Sequence, residues 1–156
     1  MSATVPSEAR VVIIGGGVAG CSLLYHLTRL GWNDVVLVEK DELTSGSTWH
    51  AAGLCTQFIP SYNLMKLLQY SLDLYGSLEA ETGQATGFRQ TGSVSVARTP
   101  ERMDELRRAV SMARAFGIEM EAISPREAGE LWPLMRTNNI VGGVFIPKDG
   151  QTVPDA

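Results

Sequence analysis

The chain has 156 residues, a formal charge of -4, 44% hydrophobic residues and 19% charged residues. That length is room for roughly one domain, and the composition excludes a disordered, collagen-like or disulfide-framed chain. No apolar stretch reaches the length of a membrane span, and thirteen Lys+Arg against seventeen Asp+Glu, with no basic run, argue against nucleic acid as a partner and offer a membrane no purchase.

Residues 1–9 contain Pro6 and Glu8 and have the make-up of neither a signal nor a transit peptide, so they are expected to be a disordered lead-in to a cytoplasmic protein. Val11-Val12-Ile13-Ile14 then forms a β-branched run that stops at Gly15-Gly16-Gly17, as a strand buried on both faces and ending in a tight turn would. Ala19, Leu23, Leu27 and Leu30 recur at helical spacing, and Gly31 falls where a left-handed cap belongs. Val35 to Val38 reads as a second buried strand with Glu39 at its carboxyl end. Strand, glycine turn, helix and strand make a βαβ unit, so the fold class is α/β.

Residues 41–60 read as a loop rich in Gly, Ser and Thr, too long for an idle connection and therefore expected to carry function. Ser61 to about Gly83 returns to helix, with Met65, Leu68, Leu72 and Tyr75 on the core side. Gly92 to Ala97 is expected to be a short strand. Thr99-Pro100-Glu101 opens a helix whose Met103, Leu106, Val110 and Ala113 form a stripe closing at Gly117. Ser124 and Glu127 have capping-box spacing around Pro125, which predicts a short helix to about Leu131. Ile140 to Ile146 reads as strand, Lys148-Asp149-Gly150 as a turn, and a further element is expected to begin over residues 152–156.

Gly15-x-Gly17-x-x-Gly20 follows a strand, opens a helix and has Glu39 nineteen positions beyond Gly20, the context in which this spacing signals a bound dinucleotide. Gly15 permits the turn, Gly17 lets the backbone approach a diphosphate, and Gly20 lets helix and strand pack closely. The helix start offers N–H groups near Val18 and Ala19, and the positive end of its dipole, to the phosphates. Glu39 can accept both ribose hydroxyls and repels a 2'-phosphate, which leaves FAD and NAD open. Downstream, Leu43-Thr44-Ser45-Gly46-Ser47-Thr48-Trp49-His50-Ala51-Ala52-Gly53-Leu54 reads as a cofactor-wrapping loop. Its small residues admit an elongated ligand, the Ser47 and Thr48 hydroxyls can bind phosphate or ribityl oxygens, and Trp49 can cover a ring.

Together with the Glu39-Lys40 pair, Glu81-Thr82-Gly83, Thr91-Gly92-Ser93 and Asp149-Gly150, these motifs resemble the dimethylglycine and sarcosine dehydrogenase family of flavoproteins. The resemblance runs over nearly the whole chain, with Val153 before Pro154 departing from the family's usual Asp or Asn. It implies the N-terminal part of a Rossmann-like FAD-binding domain, with an α+β segment leading into a substrate domain. The implied boundaries are 10–60 for the βαβ unit and flavin loop and 61–156 for the incomplete remainder. It further implies FAD bonded covalently to His50, the cofactor contacts being Gly15, Gly17, Val18, Ala19, Gly20, Glu39, Lys40 and residues 46–54. The implied activity is hydride removal from an N-methylated glycine such as dimethylglycine or sarcosine, with tetrahydrofolate a possible carbon acceptor in the complete enzyme.

A neutral imidazole nitrogen is a nucleophile near neutral pH, which suits His50 to that attachment. His26, in the apolar stripe of the first helix, reads as a structural histidine satisfied by hydrogen bonds, and no metal site is expected. Cys21 and Cys55 form no disulfide framework and point to a reducing compartment, both reading as packing residues. Two strands do not complete a doubly wound sheet. The catalytic residues are therefore expected beyond residue 156, the remaining part of the same enzyme is the expected partner, and the chain by itself is expected not to turn over substrate. Two other readings stay open, an NAD-dependent dehydrogenase fragment and a non-catalytic module, with the mitochondrial matrix as the alternative compartment.

Overall fold

The computed structural model describes residues 6–154. The lead-in expected over residues 1–9 lies outside the described residues up to Val5, and residues 6–9 carry no helix or strand. Asp155 and Ala156, in the stretch expected to open a further element, also lie outside. The described chain divides into two compact units, one ending at Ala52 and the other spanning Gly53–Pro154.

In the first unit, β1 (Val11–Ile14) leads through the glycine turn into α1 (Val18–Arg29) and on to β2 (Val35–Val38). The two strands pair in parallel, Val11 opposite Val35 through Ile14 opposite Val38, so the expected βαβ unit is present. Gly31 ends the helical run at φ +84°, a conformation that costs a β-carbon dearly and glycine little.

Burial departs from the sequence reading in this unit. β1 is not covered on both faces: Ile13 is buried, but Val12 is 55% and Ile14 87% exposed. Alternate residues of a strand point to opposite faces. Ile13 points at α1, lying close to Gly20, while Val12 and Ile14 share the other face of a sheet that has only two strands. The helical stripe is displaced for a related reason. Ala19, Leu23 and Leu30 are exposed, and the side turned to the sheet begins at Gly20 and continues one turn and two turns on at half-buried Leu24 and Leu27. His26 behaves as expected, its Nδ1 lying 2.6 Å from the Ser22 carbonyl oxygen.

The second unit runs β3 (Leu54–Cys55), α2 (Tyr62–Thr82), β4 (Ser93–Ala97), α3 (Pro100–Ala115), β5 (Glu121–Ile123), α4 (Pro125–Leu131), β6 (Gly142–Ile146) and β7 (Gly150–Gln151). β6 is the centre of an antiparallel sheet in the order β4-β6-β5, and β3 pairs with β7. Its core joins Met65 of α2, Ala97 of β4, Met103, Leu106 and Ala113 of α3, and Val144 and Ile146 of β6. Of the positions expected to face inward, the cluster contains Met65 of α2 and Met103, Leu106 and Ala113 of α3, with Val110 packed against its edge; Leu72 is buried outside it, and Leu68 and Tyr75 are half-buried.

The helix starts follow their capping residues. The Thr99 hydroxyl accepts the Arg102 N–H ahead of α3. At α4 the Ser124 hydroxyl accepts the Glu127 N–H while the Glu127 carboxylate accepts the Ser124 N–H, a reciprocal pair of the expected kind. Buried at the foot of β7, Asp149 ties three segments together. Its carboxylate accepts the Gln57 N–H at 2.8 Å and the Ser93 hydroxyl at 2.6 Å, and its carbonyl accepts the Gly92 N–H at 2.8 Å.

Candidate functional site

The strongest motif in the sequence, the glycine turn, is built from main chain packed against main chain. The Gly15 N–H donates to the Val38 carbonyl of β2 at 2.8 Å, which joins the end of β1 to its neighbour strand. Gly15 itself stands at φ +104°. A β-carbon on Gly20 would run into the Gly15 carbonyl, so the close helix–strand approach requires glycine at that position. On Gly17 a β-carbon would sit 3.1 Å from the Thr48 hydroxyl oxygen; the bare α-carbon there leaves room for that hydroxyl beside the turn.

Glu39 closes the turn from the side of β2. One carboxylate oxygen accepts the Gly16 N–H at 2.6 Å, and the other accepts the N–H groups of Lys40 at 2.7 Å and Asp41 at 3.1 Å. These main-chain donors, Gly16 foremost, hold the Glu39 carboxyl below the usual carboxylate range. A carboxylate has about four acceptor positions, so capacity remains for a hydroxyl donor after these three contacts.

Two bonds fasten the downstream loop to the turn. The Thr44 N–H donates to the Gly16 carbonyl at 2.9 Å, and the Thr48 hydroxyl oxygen accepts the Val18 N–H at 3.0 Å. Thr44 adopts φ +65°, a strained choice for a β-branched residue, and it leaves Leu43 against Gly16. Thr48 also starts a tight turn, its carbonyl accepting the Ala51 N–H at 3.1 Å. Trp49 and His50 are the two central residues of that turn. The His50 Nδ1 lies 3.0 Å from the Gly46 carbonyl oxygen, and the Trp49 and His50 rings are 4.3 Å apart at a tilt of 50°. Both side chains are exposed, so Trp49 is not packed into a core.

Between turn and loop lies a hollow of about 380 Å³ walled by Gly17, Val18, Ala19, Glu39, Lys40 and residues 45–48. A second hollow of about 440 Å³, bordered by Ile14, Gly15, Val38, Glu39 and Lys40, adjoins it across the Glu39-Lys40 pair. The first offers helix-terminal N–H groups and hydroxyls, the second the apolar side chains of Ile14 and Val38. That donor set fits a dinucleotide, with phosphates at the start of α1 and a nucleoside beside Glu39.

The structure therefore brings together Gly15, Gly17, Val18, Ala19, Gly20, Glu39, Lys40, Gly46, Ser47, Thr48, Trp49 and His50 within the first unit, with Ala51 and Ala52 exposed just beyond. Gly53 and Leu54 belong to the second unit. There Gly53, at φ +71°, accepts the Thr152 N–H at 2.8 Å and has no room for a β-carbon against the Thr152 carbonyl, and Leu54 pairs with Gln151. Leu43, Thr44 and Ser45, the opening of the expected cofactor loop, take part in the site, and so does Gly16, which was not singled out from sequence. Gly16 was visible as the middle of three consecutive glycines; nothing in the sequence around Thr44 signals its left-handed backbone.

Comparison with known proteins agrees with this geometry. The family model described as DAO, FAD dependent oxidoreductase, matches residues 10–156, and of the two dinucleotides left open by the glycine turn and Glu39 it names FAD. Dimethylglycine dehydrogenase, mitochondrial, of Rattus norvegicus is 49% identical over 147 residues, 94% of this chain and 17% of that protein. Sarcosine dehydrogenase, mitochondrial, of Homo sapiens is 43% identical over 154 residues, 98% of this chain and again 17% of the relative. Among solved structures, L-proline dehydrogenase from P. horikoshii superimposes with a TM-score of 0.90 at 26% identity, covering 97% of this chain and 40% of that one. The chain thus spans about a sixth of the length of the curated relatives named here. Among the described residues, no helix is long and apolar enough to cross a membrane.

Proposed function

The chain belongs to the FAD-dependent oxidoreductase family, and on that premise we propose that it is the FAD-holding portion of an amine dehydrogenase or oxidase acting on N-methylated glycines such as dimethylglycine or sarcosine. The identity of 49% to a dimethylglycine dehydrogenase and 43% to a sarcosine dehydrogenase supports this substrate class. In this reading the Gly15–Gly20 turn and the Ala19 N–H hold the diphosphate while the Val18 N–H stays with the Thr48 hydroxyl, Glu39 accepts an adenosine ribose hydroxyl, and the Lys40 ammonium borders the same nucleoside. Gly46 to Ala52 follow the flavin half of the cofactor, with His50 as its covalent attachment point. Bound FAD supplies the acceptor for a hydride drawn from a carbon beside nitrogen.

The oxidised substrate is an iminium, which water hydrolyses to formaldehyde or which passes its carbon to tetrahydrofolate in the complete enzyme. The groups that touch substrate are placed beyond residue 156, on the remaining part of the same enzyme. The names of both dehydrogenases carry the word mitochondrial. That favours the mitochondrial matrix over the cytoplasm expected from the amino-terminal residues.

One observation carries the reading: His50 sits in a tight turn whose first residue, Thr48, is hydrogen-bonded to the start of the helix that follows the glycine turn. An ordinary surface loop has no reason to end its histidine there. Anaerobic addition of sarcosine or dimethylglycine to the purified full-length protein tests it. Bleaching of the flavin absorbance is expected, with formaldehyde released after air is admitted; a flavin-loaded protein that no N-methylated glycine bleaches contradicts the substrate assignment.

A further inference from the structure

We propose that Thr48 is a positioning residue for His50, its hydroxyl setting where the histidine turn stands relative to the glycine turn. The inference rests on the reading of His50 as the flavin attachment point. It is carried by a chain of short contacts within the first unit. The Thr48 hydroxyl oxygen accepts the Val18 N–H at 3.0 Å, the first-turn donor of α1. The Thr48 carbonyl accepts the Ala51 N–H at 3.1 Å and so closes the turn that holds Trp49 and His50. His50 is then folded back, Nδ1 to the Gly46 carbonyl at 3.0 Å. One side chain thereby links the backbone of the phosphate cradle to the backbone that aims the imidazole, and the missing β-carbon of Gly17 leaves the space in which its hydroxyl sits.

The alternative for Thr48 is a plain phosphate ligand that gives up Val18 when the cofactor arrives. The two roles differ in what a lost hydroxyl harms. A ligand role weakens binding; a positioning role leaves binding in place and slows attachment, because a displacement of the order of 1 Å in a reacting group costs up to about a hundredfold in rate. In the attachment, the His50 imidazole forms a bond to the 8α-methyl carbon. The ring nitrogen and the methyl group each give up a hydrogen, and the two electrons released pass on to dioxygen as hydrogen peroxide.

The test follows the full-length protein, prepared without cofactor and mixed with FAD in air, on two scales. Flavin absorbance of the native protein reports binding, and colour retained by acid-precipitated polypeptide reports attachment. Thr48→Val, which keeps the shape and removes the hydroxyl, is expected still to bind FAD and, once saturated with it, to attach it roughly tenfold to a hundredfold more slowly. Thr48→Ser, which restores the hydroxyl, is expected to recover the wild-type rate. Attachment by Thr48→Val at the wild-type rate, binding and attachment lost together, or a Thr48→Ser protein as slow as Thr48→Val each overturns the proposal. Failure of the underlying reading looks different: the wild-type protein itself then retains no colour after acid, and the proposal falls with it.

Discussion

The carbonyl oxygen of Gly15 occupies the place where a β-carbon on Gly20 would have to be. Helix α1 and strand β1 can lie this close only while residue 20 has no side chain, and that closeness puts the α1 N–H groups beside Gly17. Gly20→Ala gains about 1 kcal/mol of helix propensity but overpacks a backbone contact that cannot rotate away, at about 1–3 kcal/mol. The strain is expected to win. Thermal unfolding at a lower temperature, together with weaker FAD binding in a flavin titration, is the expected result; an unchanged melting temperature with unchanged affinity would show that the helix can shift freely.

The Glu39 carboxylate predicts an acid-side weakness in the same turn. Its folded-state pKa lies below the ordinary value because Gly16, Asp41 and Lys40 donate N–H bonds to the ionised form. A depressed pKa means that the stabilisation is present above the unfolded-state value and is lost as pH falls through the folded-state value. Stability measured by denaturant titration is therefore expected to decline on acidification below the ordinary carboxylate range, and part of that decline is expected to vanish in Glu39→Gln. If the two proteins show the same pH profile, the three N–H contacts contribute nothing to folding.

Asp149 predicts the opposite sign. It is 1% exposed, and burial raises its pKa against the lowering effect of the Ser93 and Gln57 hydrogen bonds. A raised pKa means that its contribution is full below the unfolded-state value and is lost as pH rises through the folded-state value. Asparagine keeps an acceptor for the Gln57 N–H and can donate to the Ser93 oxygen, so Asp149→Asn is expected to be at least as stable as wild type at neutral pH. Asp149→Ala leaves the buried Gln57 N–H and the half-buried Ser93 hydroxyl without their partner and is expected to lose about 1–3 kcal/mol in denaturant titration. Equal losses in both variants would mean that the negative charge itself holds the segments together.

The elements legible in the sequence were those with a repeating apolar signal or a defined terminus. Met103, Leu106 and Ala113 recur at helical spacing and are buried, and the Ser124/Glu127 box marks the start of α4. The strands β3, β5 and β7 escaped because two or three residues such as Leu54-Cys55 or Gly150-Gln151 are too few to show a period; their pairing partners, far away in sequence, define them. The stripe on α1 was misread because apolarity alone does not say which side meets the sheet. That side is marked by Gly20, the residue with nothing to bury. At the candidate site, Gly15, Gly17, Gly20 and Glu39 were legible because each position has one chemical requirement. The Thr48 bond to Val18 and the left-handed backbone at Thr44 were not, since both depend on how the loop returns to the turn.

The assignment of His50 as the point where FAD joins the chain is tested most directly by precipitating the purified full-length protein with acid and recording the absorbance of pellet and supernatant. Yellow colour is expected to remain in the wild-type pellet and to move to the supernatant in His50→Ala, with FAD bound in both native proteins. Wild-type colour washing into the supernatant, or colour that stays with the His50→Ala pellet, would contradict it.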